Sequence, residues 1–192
     1  MIKNLLLFAS GSGSNAVNVC QYFKENPKVK ITGLICNNPN AGVIEKMKEF
    51  GIPVILVNRA DFNNPSVILP VIFRFEPNLI CLLGFLWKIP PFMVNAFPNK
   101  ILNLHPALLP KFGGKGMYGM HVHEAVKQAG ETNSGISIHW VNEAFDEGEI
   151  IAQFTFEISE ADSVNDIAEK VHTLEQKHVP AEIEKVLDKM LE

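Results

Sequence analysis

A chain of 192 residues, 47% hydrophobic and 20% charged, has the size and balance of a single domain able to bury its own core. A net charge of −4 without any Lys/Arg cluster excludes a basic nucleic-acid binder, and no apolar run approaches the ~20 residues of a membrane helix. Cys20, Cys36 and Cys81 are odd in number and far apart. They fit neither a disulfide framework nor a zinc site, and each is expected as a small buried hydrophobe in a reducing cytoplasm.

The first residues, Met1-Ile-Lys-Asn-Leu-Leu-Leu-Phe8, carry one basic residue and run into glycines, so they read as a strand rather than a signal peptide. Ala9-Ser-Gly-Ser-Gly-Ser-Asn15 follows, then a helix over Ala16 to Lys24 with Val17, Val19, Cys20 and Phe23 apolar. Strand, small-residue loop and helix present free backbone N–H groups to an anion, usually phosphate. Gly11 and Gly13 allow close approach, and Ser14 and Asn15 add donors; the plainer alternative is a tight turn with a Ser/Asn cap. Gly11-x-Gly13-x-x-Ala16 also satisfies the loose dinucleotide pattern. The end of the second strand, where that fold wants an acid, reads Cys36-Asn-Asn-Pro39, which argues against NAD.

Alternation continues with a strand over Val29 to Cys36, a helix from Val43 to Phe50 closed by Gly51, and a third strand at Pro53 to Val57. A helix enters at Asn64-Pro65 and runs to Phe75, with Pro70 as a kink. Leu79 to Leu83 and Ile101 to Leu104 are the fourth and fifth strands. Strands apolar on both faces and separated by helices imply a mostly parallel sheet covered on both sides, with ligands beyond the carboxyl ends of its strands. The Gly/Ser loop lies at one such end. At another, Asn103 and His105 stand two residues apart and so share a face. A carboxamide that can hold a developing oxyanion and an imidazole that can move a proton are what acyl transfer requires. The alternative is a polar strand end with a solvated histidine.

Phe92, Met93 and Phe97 form an apolar cluster that is either interface or core. Lys111 to Gly119 holds four glycines and is a loop, either a mobile cover for the site or a connector. His121 to Gln128 is a short helix. Gly135 to Val141 alternates Ile136, Ile138 and Trp140 with Ser137 and His139, the period of a half-exposed strand. Asn142 to Gly148 is a turn carrying three carboxylates, Ile150 to Ile158 an alternating strand, and Val164 to Leu191 a long amphipathic helix bending at Pro180. Asp146 in the acidic turn is the third candidate for chemistry. A carboxylate beside an imidazole favours its charged form and raises its pKa towards use as a general acid. On local grounds Asp146 could equally just shape the turn with Gly148, and His139 could either approach the site or stand solvated.

Five segments occur in order: Gly11-Ser-Gly-Ser-Asn15, Gly84-Phe85, Asn103-Leu-His-Pro-Ala-Leu-Leu-Pro110, Ser137-Ile-His-Trp-Val141 and Asp146-Glu-Gly-Glu-Ile-Ile-Ala-Gln153. Together they resemble the phosphoribosylglycinamide formyltransferases along essentially the whole chain. The Asn-x-His-Pro-x-Leu-Leu-Pro string with a downstream Asp marks enzymes that use 10-formyltetrahydrofolate. Methionyl-tRNA formyltransferases carry an extra C-terminal domain and formyltetrahydrofolate deformylases an extra N-terminal one, for which 192 residues leave no room.

The resemblance implies an α/β fold in one domain: a Rossmann-like, mostly parallel twisted sheet with helices on both faces and an antiparallel C-terminal portion. It implies formyl transfer from 10-formyltetrahydrofolate, a co-substrate, to the amine of glycinamide ribonucleotide in purine biosynthesis, without metal or redox cofactor. Gly13, Ser14 and Asn15 would hold the ribonucleotide phosphate and Glu175 its ribose. Leu86, Trp87, Lys88 and Ile89 would line the folate pocket with Asn103 and the turn Asn142, Glu143, Ala144, Phe145 and Asp146. Asn103, His105 and Asp146 would be the catalytic set, with Asp146 keeping His105 charged. The implied partners are small molecules, with neither nucleic acid nor membrane, for a cytoplasmic monomer or homodimer. Three positions depart from the family pattern. No basic side chain stands at Asn64-Pro65, Trp87-Lys88 replaces an arginine-containing segment, and the loop Gly113 to Met120 is longer than usual. Two rival readings are formyl transfer to a nucleotide-linked amino sugar and a non-catalytic nucleotide-binding module on the same sheet.

Overall fold

Leu5, Leu6, Leu7, Phe8 and Ala9 have no exposed surface, which is why the first strand is apolar at consecutive positions: both of its faces are covered. The computed structural model describes residues 2–190. Its elements in chain order are β1 (Lys3–Ala9), α1 (Ser14–Phe23), β2 (Val29–Cys36), α2 (Val43–Glu49), β3 (Val54–Leu56), α3 (Arg59–Phe62) and α4 (Pro65–Phe73). Then come β4 (Leu79–Leu82), α5 (Pro91–Ala96), β5 (Ile101–His105), α6 (Met120–Gln128), β6 (Asn133–Trp140), β7 (Ile150–Glu157) and α7 (Val164–Lys189). One seven-stranded sheet has the order β3-β2-β1-β4-β5-β6-β7. Its pairings from β3 through β5 are parallel, and β5–β6 and β6–β7 are antiparallel. The chain winds outwards from β1 through β2 to β3, then returns to lay β4 on the other side of β1. That reversal leaves a crevice beyond the carboxyl ends of β1 and β4, where open α/β sheets bind ligands.

Two cores cover the two faces. On one, Val19 and Phe23 of α1 and Met47 of α2 pack with Val171, Val179, Ile183 and Leu187 of α7 against Leu5, Leu7, Leu102 and Leu104. Each such buried side chain contributes roughly 1.5–3 kcal/mol. On the other face, Ile68 and Ile72 of α4 and Met93 of α5 meet Leu6, Phe8 and Ile80. Met93 and Phe97 are therefore core. All three cysteines are buried, and burial alone pushes the Cys20 thiol up to about 12.

Several expectations need correction. Asn64 caps α4 through its side chain and Pro65 opens it as expected, but Pro70 lies inside a helix that ends at Phe73. The short helix α3 carries no apolar period. The half-exposed strand is instead buried: Ser137 is 0% and His139 2% exposed, because β6 is an interior strand and its polar face lies under the loop after β5. Ser137 Oγ accepts the Leu109 N–H at 3.0 Å and donates to the Ala107 carbonyl at 2.7 Å, while Gln153 donates to both Ser137 Oγ and the Leu109 carbonyl. Those bonds hold the backbone just beyond His105. The long helix begins with a reciprocal cap between Ser163 and Asp166, passes through Pro180 and is described to Met190, so Leu191 lies outside the described residues.

Candidate active site

β5 places the first two side chains. Leu102 and Leu104 face the core beneath α7, which turns Asn103 and His105 to the opposite face. The antiparallel pairing then sets Asn103 opposite His139 and His105 opposite Ser137. Asp146 arrives from the turn after β6, its backbone in the left-handed region at φ +54°, a conformation that costs energy and clusters at functional sites. Gly148 fixes this turn. A Cβ there would stand 1.6 Å from the Trp140 carbonyl oxygen, so only glycine lets the strand end and the turn approach so closely.

The four side chains converge. Asp146 Oδ2 lies 3.6 Å from His105 Nδ1 and accepts the Gly114 N–H at 2.9 Å. Asp146 Oδ1 accepts from Asn103 Nδ2 at 3.2 Å and lies 3.6 Å from His139 Nε2. Asn103 Nδ2 is also 3.0 Å from His139 Nε2, while His139 Nδ1 is 2.9 Å from the Trp140 carbonyl. A carbonyl only accepts, so His139 carries its hydrogen on Nδ1 and offers Nε2 to Asn103. Both amide hydrogens of Asn103 are thereby engaged.

His105 is held between two acceptors. Its Nε2 is 2.8 Å from the Phe112 carbonyl, and its Nδ1 faces the Asp146 carboxylate. Both neighbours favour the imidazolium, as the sequence suggested for Asp146. Burial outweighs them: the ring is 3% exposed, and desolvation, with the Asp146 charge and the Phe112 carbonyl opposing it, brings the pKa below 6.5 rather than above. The sequence-based expectation of a raised value is corrected on that ground. For Asp146, burial pushes the carboxyl up, but His139, His105 and the Gly114 N–H together hold it below the ordinary carboxylate value. At neutral pH the pair is an ionised acid beside a ring that is neutral until charge develops nearby.

These groups line one cavity of about 500 Å³ that runs from the Gly/Ser loop to the acidic turn. At its loop end stand Ser12 and Asn15, and α7 contributes Glu175, whose Oε2 accepts from Asn15 Nδ2 at 2.9 Å. Burial pushes the Glu175 carboxyl up, against Asn15 and His172. Gly13 and Ser14 do not line the cavity. Gly13 is the left-handed residue that starts α1, and a Cβ there would collide with Val43 at 2.4 Å. Their contribution is the free N–H end of α1, which has no side-chain cap. At the other end Leu86, Trp87, Lys88, Ile89, Asn142, Ala144 and Phe145 all line the wall, while Glu143 does not. Ser10 Oγ accepts the Leu86 N–H at 2.9 Å and so ties that wall to the end of β1.

Two basic groups meet aromatic rings at this end: Lys88 Nζ is 5.0 Å from the Phe145 ring centre, and the Arg59 guanidinium 5.0 Å from that of Trp87. Arg59 belongs to α3 and, unlike Lys88, does not itself line the cavity. Sequence reasoning left His139 open and missed His123, Phe112 and Gly114. A carbonyl and an N–H have no sequence signature. His123 lines the cavity, and its Nδ1 is buried without a hydrogen-bond partner. A signal for Glu175 was available: Ile167, Val171, Val179, Ile183 and Leu187 form a four-residue stripe on α7 in which 175 is the one carboxylate.

Residues 3–183 match the family described as formyl transferase. The chloroplastic phosphoribosylglycinamide formyltransferase of Arabidopsis thaliana is 39% identical over 184 residues, covering 92% of this chain. The chain spans 62% of that plant relative's length. The Bacillus subtilis (strain 168) phosphoribosylglycinamide formyltransferase is 35% identical over 97% of this chain and 95% of its own. The crystal structure of phosphoribosylglycinamide formyltransferase from Bacillus halodurans superposes with a TM-score of 0.87 at 30% identity, covering 97% of this chain and 96% of that one.

Proposed function

The chain belongs to the formyl transferase family, and from that premise we propose that it moves a formyl group from 10-formyltetrahydrofolate to the primary amine of glycinamide ribonucleotide in purine biosynthesis. The products are formylglycinamide ribonucleotide and tetrahydrofolate. The observation that carries this reading is the convergence of Asn103, His105, His139 and Asp146 in a cavity that has Ser12 and Asn15 at one end and the wall Leu86, Trp87, Lys88 and Ile89 at the other.

The phosphate would rest on the N–H groups that open α1, with Asn15 beside it and Glu175 on the ribose hydroxyls. The folate ring would lie along Leu86 to Ile89 and the turn ending at Asp146. The amine lone pair forms the new N–C bond while the formyl C=O pair moves onto oxygen. Asn103 then gives that oxyanion the N–H it now spends on Asp146, the longer of its two bonds at 3.2 Å. A neutral His105 becomes favourable to protonate as negative charge grows beside it, and Asp146 stabilises the resulting imidazolium. On collapse the C=O re-forms and the bond to the folate nitrogen breaks. One proton leaves the attacking nitrogen and one reaches the departing nitrogen, with the His105–Asp146 pair as carrier.

The test offers the purified protein and 10-formyltetrahydrofolate two acceptors, glycinamide ribonucleotide and a nucleotide-linked amino sugar. Formylation of the ribonucleotide is expected. Turnover of the sugar alone would replace the proposal.

A further inference from the structure

The proposed reaction brings a phosphate dianion to the Ser12–Asn15 end of the cavity, which offers backbone N–H groups and the Asn15 amide but no lysine or arginine; His172, 3.6 Å from Glu175 Oε2, faces that carboxylate and does not line the cavity. That end already holds a buried carboxylate, Glu175, and the reacting centre holds another, Asp146. Adding a dianion to two carboxylates without a compensating cation is unfavourable in a partly desolvated site. Among the described residues, two lysines line the cavity, Lys88 and Lys115. Lys88 lies over the Phe145 ring at the folate end. Lys115 is exposed and has no ion pair or side-chain hydrogen bond among the described residues. It sits at the tip of a tight turn, Gly114 to Met117, closed by the Met117 N–H on the Gly114 carbonyl at 3.1 Å. The base of that turn is pinned by the Gly114 N–H on Asp146 Oδ2. The bond from its neighbour Gly114 to the carboxylate at the centre thus anchors the backbone of Lys115 beside the cavity that this residue lines.

We propose that Lys115 is the cation that selects the phosphorylated acceptor, closing on the phosphate from the side opposite the start of α1. This rests on the ribonucleotide reading given above. A helix start can hold phosphate without a cation. Lys115 therefore determines how strongly the phosphorylated acceptor is preferred rather than whether the formyl group moves.

The test compares wild type, Lys115→Gln and Lys115→Arg with the ribonucleotide and with the same acceptor lacking its phosphate, the riboside. Wild-type formylation of the ribonucleotide comes first; its failure would refute the reaction and not this assignment alone. Lys115→Gln is expected to lose kcat/KM for the ribonucleotide about tenfold more than for the riboside, the size of one charge-assisted hydrogen bond. The loss should appear in the KM for the ribonucleotide, and Lys115→Arg should restore most of it. Equal losses for the two acceptors would overturn the assignment. So would a KM change confined to the folate, which would make a folate carboxylate the anion that Lys115 meets.

Discussion

Asp146→Asn is the sharpest perturbation of the centre, because it changes charge with almost no change in shape. The carboxylate accepts two N–H groups, from Gly114 at 2.9 Å and from Asn103 at 3.2 Å, and faces two histidine nitrogens at 3.6 Å. An amide keeps one acceptor oxygen and places an NH2 where the other stood, so one of the two donors must face a donor. Losing one charge-assisted bond in a site where this side chain is 13% exposed costs about 1.5–3 kcal/mol, roughly 10- to 150-fold in rate if it is felt in the transition state. The variant also leaves only the Phe112 carbonyl to oppose burial at His105, so the ring resists taking a proton when the reaction needs it. Loss of positioned acid–base chemistry is worth about 10² to 10⁴-fold. The two losses overlap because both act through the same carboxylate. The expected result is a fall in kcat of about 10² to 10⁴-fold with KM for both substrates changed only severalfold. The assay follows the absorbance change as 10-formyltetrahydrofolate becomes tetrahydrofolate, with circular dichroism to show that the variant is folded. A folded variant within about threefold of the wild-type kcat would refute the assigned role of Asp146.

Two further outcomes follow from the same geometry. His105 has a pKa below the ordinary 6.5 in the folded chain, so its contribution to stability is present above 6.5 and is lost as pH falls through the folded value. Wild type should therefore lose more Tm between pH 7 and pH 5 than His105→Gln. His123 is pushed down by burial and in part by His105, so in the variant its own loss can only shrink, which widens the expected difference; equal losses would contradict the reading of a buried neutral ring. Gly148→Ala places a methyl group against the Trp140 carbonyl oxygen, 1.6 Å from its Cβ, so the turn must open. Thermal unfolding should show a fall of several degrees in Tm, equivalent to about 1–3 kcal/mol, and activity should fall with it as Asp146 is displaced. Wild-type Tm and rate together would show that the turn is not fixed as described.

How much of this was legible in the sequence divides along a physical line. Strands buried on both faces announce themselves as apolar runs, so the parallel half of the sheet was readable, as were the helix entry at Asn64-Pro65 and the glycine-rich start of α1. In the antiparallel half, β7 alternates as expected and only the exposure of β6 misled. Alternation along β6 is real, but its polar face is buried by the backbone of residues 107–109, and hydrogen bonds from Ser137 and Gln153 satisfy what a solvent-facing strand would give to water. Burial of polar groups depends on what covers them, which no local pattern records.

The same distinction explains the site. Asn103 and His105 could be paired by their two-residue spacing, and Asp146 stood out as a carboxylate in the acidic turn, but only the family pattern joined it to them, because contact between distant segments is a property of topology. What placed them together is β5 lying beside β6, so that the strand entering the acidic turn sets His139 opposite Asn103 and delivers Asp146 to the same place. The direction of the His105 pKa failed for a related reason. A neighbouring carboxylate can be inferred from a motif, but the opposing desolvation comes from every residue that closes over the ring, and no local pattern records that enclosure. Identity of side chains supplied the chemistry; enclosure decides its resting charge. A neutral His105 beside an ionised Asp146 follows only once that enclosure is in view, and it makes the pair ready to take up charge as the reaction creates it.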